Sequence, residues 1–402
     1  MLLTLLFNLF SLFYVYRGLR LAYDIWRDRE RLRAEPLTHE QKRVGEEAAF
    51  FLAIPPGVAV HELGHAVAVW LFGGEVVEFG YRVFWGFVLP RGTFTLAQEW
   101  WISVAGTIGT LLYGLALWGW ARSRRTSSLR FFGLRTLRLH IFYALIYYPV
   151  FSAMGLFGDW VTIYNFRATP LLSGVTAVIH AGILLLYWQL SRRGFFEMPA
   201  PDTLSMQENL RRLHSAAQAN PQDPTIQLRL VQTLAQMGAP QQAARVLDDL
   251  LQQQPHFAPG WLEQAVLQAQ GKRTIPRRAA DSAEKALRLG LPDAAGVRRA
   301  HHLLGARYLD MGKLPEAARH LNQAIAALES NSGLEPNPHF HRLYQMRAVA
   351  RRQLGQHQAA YQDIETAIRQ AKLLGEAQTA ENYDQLRQAI AQNAGITPDS
   401  RI

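Results

Sequence analysis

The chain has 402 residues, no cysteine and a formal net charge of +10. The length admits two or three domains. The lack of cysteine excludes disulfides and thiolate metal sites, so any metal must be held by His, Asp or Glu. The positive charge gathers as arginines between apolar runs, the pattern of membrane-topology determinants. No base-reading motif accompanies it, so no nucleic-acid partner is expected.

Residues 1–16 are almost wholly apolar. The run is short for a span, which takes about 20 residues. Arg17 and Arg20 follow it, whereas a cleaved signal peptide carries its charges in front, and no small-residue cleavage site is evident. A short uncleaved signal-anchor helix is expected. Residues 17–46 are polar and basic and read as a helical, water-facing connection. Residues 47–72 form a second apolar span, which carries His61-Glu62-Leu63-Gly64-His65. Pro55-Pro56 precedes this stretch and should start a fresh helical segment. Gly64 leaves room for a close neighbour, either another helix or a substrate backbone. Gly73-Gly74 should end the helix.

Residues 75–95 are rich in β-branched and aromatic residues and broken by glycine, with Pro90-Arg91-Gly92 as a turn signal. A hairpin at the membrane boundary is expected, either purely structural or able to receive an extended peptide at its edge. A third span covers 97–121, with Gly106, Gly109 and Gly114 at spacings that permit close helix packing in lipid. Six arginines follow: Arg122, Arg124, Arg125, Arg130, Arg135 and Arg138. A fourth span is expected over about 139–157, ending at Gly158-Asp159-Trp160, and a fifth over about 171–190, containing His180. Arg192-Arg193 closes it, and Met198-Pro199-Ala200-Pro201 reads as a linker.

The second half is soluble and helical in pattern, and it repeats. Gly305, Tyr308, Gly312, Ala317, Leu321 and Ala324 have the internal spacing of a tetratricopeptide unit. The frame recurs around Gly238, Ala243, Leu247 and Pro255, and around Gly355, Ala360, Ile364 and Ala367. A degenerate copy lies near Trp261, Gly271 and Ala286, and an insertion from Ser330 to Pro338 stretches one interval. Each helix pair cannot bury its own face, so three or four must stack, giving a concave surface suited to a peptide or protein partner. The expected organisation is an N-terminal anchor and connection (1–46), a membrane core of about four spans plus the hairpin (47–196), a linker (197–206) and the repeats (207–402). The fold class is an all-α membrane protein with a small β-hairpin, a polytopic transmembrane helix bundle followed by a soluble α-solenoid.

On a helix, His61 and His65 project from one face, one turn apart, as two ligands of a single zinc ion require. Glu62 follows the first ligand directly and is placed to serve as general base. One acid and two histidines in an apolar helix are costly and mark a function more often than a satisfied polar cluster. A catalytic zinc typically has three protein ligands. The candidates for the third are Asp159, Glu99, His140 and His180. Asp159 stands out because a carboxylate ending an apolar helix needs a cation or a partner.

The membrane half, over roughly 47–165, resembles the site-2 protease family of intramembrane zinc metalloproteases (the M50-like peptidases). That family has a His-Glu-x-x-His helix, a strand-rich embedded segment and an Asp-Gly motif at the end of a later span. His61, Glu62 and His65 match it fully. Ala105-Gly106-Thr107-Ile108-Gly109-Thr110 is similar to the family's Ala-Gly-Pro-x-x-Asn segment, with Thr at the Pro and Asn positions. Gly158-Asp159-Trp160 stands where the family has Leu-Asp-Gly, and the Asn and Pro that usually precede that Asp are out of register. The resemblance implies a zinc-dependent intramembrane endopeptidase with His61, His65 and Asp159 on the metal and Glu62 as base. Its substrate would be a locally unwound transmembrane segment of a membrane protein, and the repeats would recruit substrate or a regulator. The departures around Asp159 motivate the alternative, a catalytically inactive membrane scaffold that assembles partners through the repeats. A metal transporter is weaker still, since only one polar constellation is visible. The protein is expected to be multi-pass in the cell (inner) membrane. Arginine bias places the repeats in the cytoplasm and the end of the zinc helix outside, whereas the resemblance places that helix end towards the cytoplasm.

Overall fold

The computed structural model describes residues 2–83, 85–155, 158–329 and 340–395, with side chains from residue 9 onward except at 394. The expected insertion at 330–338 lies outside the described residues. The chain divides into two compact units. One comprises Met1–Arg212 and Gln236–Gln242; the other comprises Leu213–Ala235 and Ala243–Ile402.

In the first unit α1 (Leu2–Arg27) is a single helix that runs from the expected anchor (1–16) into the expected helical connection. Arg17 and Arg20 are good helix formers, so the first charges do not stop it. A five-residue helix, α2 (Arg29–Arg33), follows. Thr38 then opens α3 (His39–Ala48) with a capping box, its side chain accepting from Gln41 N–H while the Gln41 side chain reaches back to Thr38 N–H. A π-helical turn (Ala49–Ala53) leads into α4 (Ile54–Leu71). Pro55 and Pro56 lie in its first turn, where their missing N–H groups cost little. Gly73 (φ +77°) ends the helix, and Gly74 N–H returns to Val69 O at 2.9 Å.

Strands β1 (Glu75–Arg82) and β2 (Trp85–Arg91) pair antiparallel, with Gly80 opposite Phe87 and Tyr81 opposite Gly86. Pro90 and Arg91, expected in a turn, belong to β2. Pro90 pairs with Val76 at a bulge, the place in an edge ladder where a missing N–H is tolerated. Helix α5 (Leu96–Arg122) follows, opened by a second capping box at Thr95 and Gln98. Next comes α6 (Ser127–Phe142), which passes through a π-helical turn (Tyr143–Tyr147) into α7 (Tyr148–Ala153). A short α8 (Asp159–Ile163) and α9 (Pro170–Arg192) complete the set.

Among the described residues three helices are long and apolar enough to cross a membrane: His39–Leu71, Leu96–Arg122 and Pro170–Arg192. The helical run through α6 and α7, expected as a fourth span, is not one of them. Arg138, His140 and the tyrosines 143, 147 and 148 dilute its apolar character. Residues 197–202, read as linker, are packed into the first unit. Ala200 is buried with Leu37 and Phe131, and its N–H donates to Met237 O at 2.8 Å. The Glu197 carboxylate accepts from the N–H groups of Gln241 and Gln242.

The rest of the chain is built from helix pairs, which make up the second unit apart from Leu204–Arg212 and Gln236–Gln242. After α10 (Leu204–Ala219) come α11 (Pro224–Gln236) with α12 (Pro240–Gln253), and α13 (Ala258–Ala269) with α14 (Arg277–Leu289). Then follow α15 (Ala294–Asp310) with α16 (Leu314–Glu329), α17 (Phe340–Gln353) with α18 (His357–Leu373), and a final α19 (Ala377–Ala394). Gly238, Gly271, Gly312 and Gly355 occupy the turns within the pairs, with φ between +69° and +75°, a backbone region that glycine enters without cost. The alanines and aliphatics of the repeat frame form the seams: Ala243, Ala317, Leu321, Ala324, Ala360, Ile364 and Ala367 are fully buried. The copy around Trp261 and Ala286, degenerate in sequence, is a complete pair.

Candidate metal centre

Helix α4 presents His61 and His65 one turn apart, with ring centroids 4.7 Å apart, and both are buried. Helix α5 packs directly against this face. A Cβ on Gly64 would lie 2.4 Å from Ala105 O, and one on Gly109 2.8 Å from Val60 O, so the two backbones touch where those glycines stand. The neighbour that Gly64 admits is therefore a helix, not a substrate backbone. Gly106 lies under the two rings, and a Cβ there would meet His65 Nε2 at 2.4 Å and His61 Nε2 at 2.7 Å.

The same helix fixes both imidazoles from behind. Thr110 donates its hydroxyl proton to Gly106 O (3.2 Å), so its oxygen accepts from His61 Nδ1–H (3.0 Å). Ile102 O, which can only accept, takes the Nδ1–H of His65 (2.7 Å). With both Nδ1 atoms so engaged, both Nε2 atoms turn inward. They meet Asp159 Oδ2, at 3.0 Å from His61 and 3.2 Å from His65. His61, His65 and Asp159 form the one group of three potential metal ligands found among the described residues, their ligand atoms all within 4.8 Å of one another.

Asp159 does not end a helix, as the sequence suggested. It begins α8, after the chain has broken from α7 with Gly155 at φ +79°. Gly158 is extended, and a Cβ on it would lie 2.4 Å from Ser152 Oγ and 2.9 Å from Tyr148 Cε2. Its lack of a side chain lets the strand of chain pass close to α7 and deliver Asp159 to the histidines. Tyr148 OH donates to Asp159 Oδ2 (3.1 Å) and accepts from Asp159 N–H (3.2 Å).

Glu62, buried beside His61, lies under strand β2. A Cβ on Gly86 would sit 2.5 Å from Glu62 Cγ. Tyr81 OH donates to Pro55 O (3.0 Å) and ties the hairpin to the start of α4. The other candidate ligands are elsewhere. Glu99 is exposed in the first turn of α5. His140 bonds Thr136 O through Nδ1 (2.8 Å) and packs on Tyr113. His180 spends both ring nitrogens, on Tyr164 OH (2.5 Å) and Leu145 O (2.7 Å).

Sequence reasoning named Gly106 and Thr110 only as members of a close-packing, family-like segment, and missed Tyr148. Gly106 and Thr110 carry a local signal, since both lie four residues apart in the small-residue segment of the third apolar run. Tyr148 has none, because its contact exists only through the break between α7 and α8.

Two inward imidazoles and a carboxylate thus converge, with an acid beside the first histidine. Residues 57–208 match the Peptidase M50B-like family, and residues 207–265 match a tetratricopeptide repeat. The chain thus joins an M50B-like peptidase region to tetratricopeptide repeats. No curated protein matches the sequence. Solved structures similar to the chain are repeat proteins. MamA is 20% identical, covering 42% of this chain and 83% of its own, with a TM-score of 0.31. YrrB, described as a TPR protein with an unusual peptide-binding site, is 14% identical over 45% and 88%, with a TM-score of 0.34. A tetratricopeptide repeat protein from Parabacteroides merdae is 14% identical over 73% and 91%, with a TM-score of 0.31.

Proposed function

We propose that this chain is a membrane-embedded zinc metalloendopeptidase that cuts peptide bonds in or near transmembrane segments of membrane proteins. The observation that carries the reading is the convergence of His61 Nε2, His65 Nε2 and Asp159 Oδ2 over Gly106, with Glu62 adjacent. The residues fit the group they would hold. Both outward nitrogens are occupied, the inward atoms are nitrogen and oxygen donors suited to zinc, and the space beside them is one that a single Cβ would fill. Zinc held there would supply Lewis acidity to the scissile carbonyl and to water.

The remaining work falls to the chain. Glu62 takes the proton of the attacking water and returns it to the leaving amine. Strand β2, crossing Glu62 at Gly86, offers an edge along which an extended peptide can lie. A transmembrane substrate must unwind first, because an intact helix hides its carbonyls in hydrogen bonds. The three apolar helices would place the first unit in the cell membrane as a multi-pass protein, with residues 47–196 as the protease core. The repeats would bind a protein or peptide that is substrate or regulator.

The test is the zinc content of the purified protein, wild type beside His65→Ala and Asp159→Ala, together with cleavage of membrane substrates by Glu62→Gln. The reading expects about one zinc per chain in wild type and Glu62→Gln, loss in both ligand variants, and loss of the processed fragment in Glu62→Gln. Wild type without zinc sinks it. Zinc without any cleavage would favour the membrane scaffold.

A further inference from the structure

Asp159 differs from the two histidines in how it is held. The histidines stand on an 18-residue helix packed along α5, whereas Asp159 opens a helix of five residues just after a break in the chain. A carboxylate on so short a turn needs an outside anchor to keep its oxygen in place. Tyr148, eleven residues earlier, provides two contacts. Its hydroxyl donates to Oδ2, the oxygen that also faces both imidazoles, and accepts the N–H of Asp159 itself. The phenol is in turn immobilised: its ring meets His61 edge-on at 5.6 Å and stacks on Tyr143 at 6.4 Å. Gly158 keeps the chain close enough for both contacts, since a Cβ there would overlap the Tyr148 ring edge.

We propose that Tyr148 is the positioning residue of the metal centre, aiming Asp159 Oδ2 at the cation site. The inference rests on the zinc reading above. The one hydroxyl holds both backbone and carboxylate of Asp159, which defines where that carboxylate oxygen stands. Partners of this kind typically change metal affinity by about 10–100-fold when removed.

The test uses the full-length protein in detergent, with zinc alone as the probe and a chelator in competition. Tyr148→Phe keeps the ring and its stacking and removes only the hydroxyl. It is expected to bind zinc about 10–100-fold more weakly, with the metal-free protein still melting cooperatively. Tyr147→Phe is the control, because Tyr147 stacks on Tyr143 and Phe151 and makes no contact with Asp159; it should bind as wild type. In an Asp159→Ala background, adding Tyr148→Phe should leave the weak two-histidine affinity unchanged. Wild-type affinity in Tyr148→Phe overturns the inference and leaves the zinc reading intact. Equal losses in both tyrosine variants, or a further loss in the Asp159→Ala background, assign the hydroxyl to the fold and also overturn it. A wild type that binds no zinc removes the reading on which it rests.

Discussion

Gly106→Ala tests the centre through a residue that binds nothing. Its Cβ would stand 2.4 Å from His65 Nε2 and 2.7 Å from His61 Nε2, where ordinary contact begins near 3.4 Å. His65 must therefore retreat by about 1 Å and His61 by somewhat less. Neither can do so freely, because each ring is fixed from behind, by Ile102 O at 2.7 Å and by Thr110 Oγ1 at 3.0 Å. Breaking these buried hydrogen bonds costs about 1–3 kcal/mol each. Two of them give about 2–6 kcal/mol against a correctly formed site, which is between about thirty-fold and twenty-thousand-fold in zinc affinity. A displacement of 1 Å also exceeds the tolerance of about 0.2 Å in metal–ligand distances. The assay is chelator competition on the purified protein, with Gly119→Ala as the matched control. Gly119 lies in the same helix with nothing within 4 Å of an added Cβ, so its variant should bind zinc as wild type does. Wild-type zinc affinity in Gly106→Ala would refute the placement of the two imidazoles.

Three further outcomes are expected. In Gly64→Ala the added Cβ meets backbone, Ala105 O at 2.4 Å and Ala105 C at 2.9 Å, so α4 and α5 must part; thermal melting should show a loss of about 1–3 kcal/mol or more. Gly86→Ala pushes first on Glu62 Cγ at 2.5 Å and Gly80 O at 2.8 Å, so zinc content should stay at the wild-type level while cleavage is lost; unchanged cleavage would place β2 away from the base. In the repeats, burial first and then the nearby His320 and Arg319 push His301 down to about 4. The unfolded chain then binds the proton more readily, so this stability is complete above about pH 6.5 and drains away as pH falls towards 4. Chemical denaturation at pH 7 and pH 4.5 should show the drop, and His301→Gln should flatten it.

Much of this arrangement is local in the sequence, and that part can be read there. The four-residue step from His61 to His65 fixes two ligands on one face without any tertiary knowledge. The repeat frame is legible for a similar reason: a solenoid is built from neighbour contacts, so Gly238, Gly312 and Gly355 recur with the alanines at fixed distances behind them. The glycines of the third apolar run foretell close helix packing, but not that Gly106 would lie under the imidazoles. What fails is whatever depends on a chain break. Asp159 reads as the end of an apolar run, whereas Gly155 and the extended Gly158 make it the start of a new helix. Pro90-Arg91-Gly92 reads as a turn because its composition is that of one. The pairing with β1 overrides it, since at an edge beside a bulge the missing Pro90 N–H goes unused. Tyr148 is invisible because nothing in its neighbourhood announces a partner eleven residues on.

The hydrogen-bond directions at the centre bear on the rival view that these residues are a self-contained polar cluster. Thr110 gives its proton to Gly106 O and so must accept from His61; Ile102 O can only accept from His65. Both Nδ1 atoms therefore carry hydrogens, so in neutral rings both Nε2 atoms present lone pairs to a carboxylate oxygen at 3.0 and 3.2 Å. Three acceptors cannot satisfy one another. For both Nε2 contacts to be donated hydrogen bonds, each imidazole would have to take a second proton, putting two imidazoliums and one carboxylate, a net positive charge, among apolar helices. Asp159 Oδ2 would then receive donors from His61, His65 and Tyr148, three for the two lone pairs of one oxygen. A divalent cation removes both difficulties at once, since neutral imidazoles and an ionised carboxylate are the protonation states that a zinc site requires.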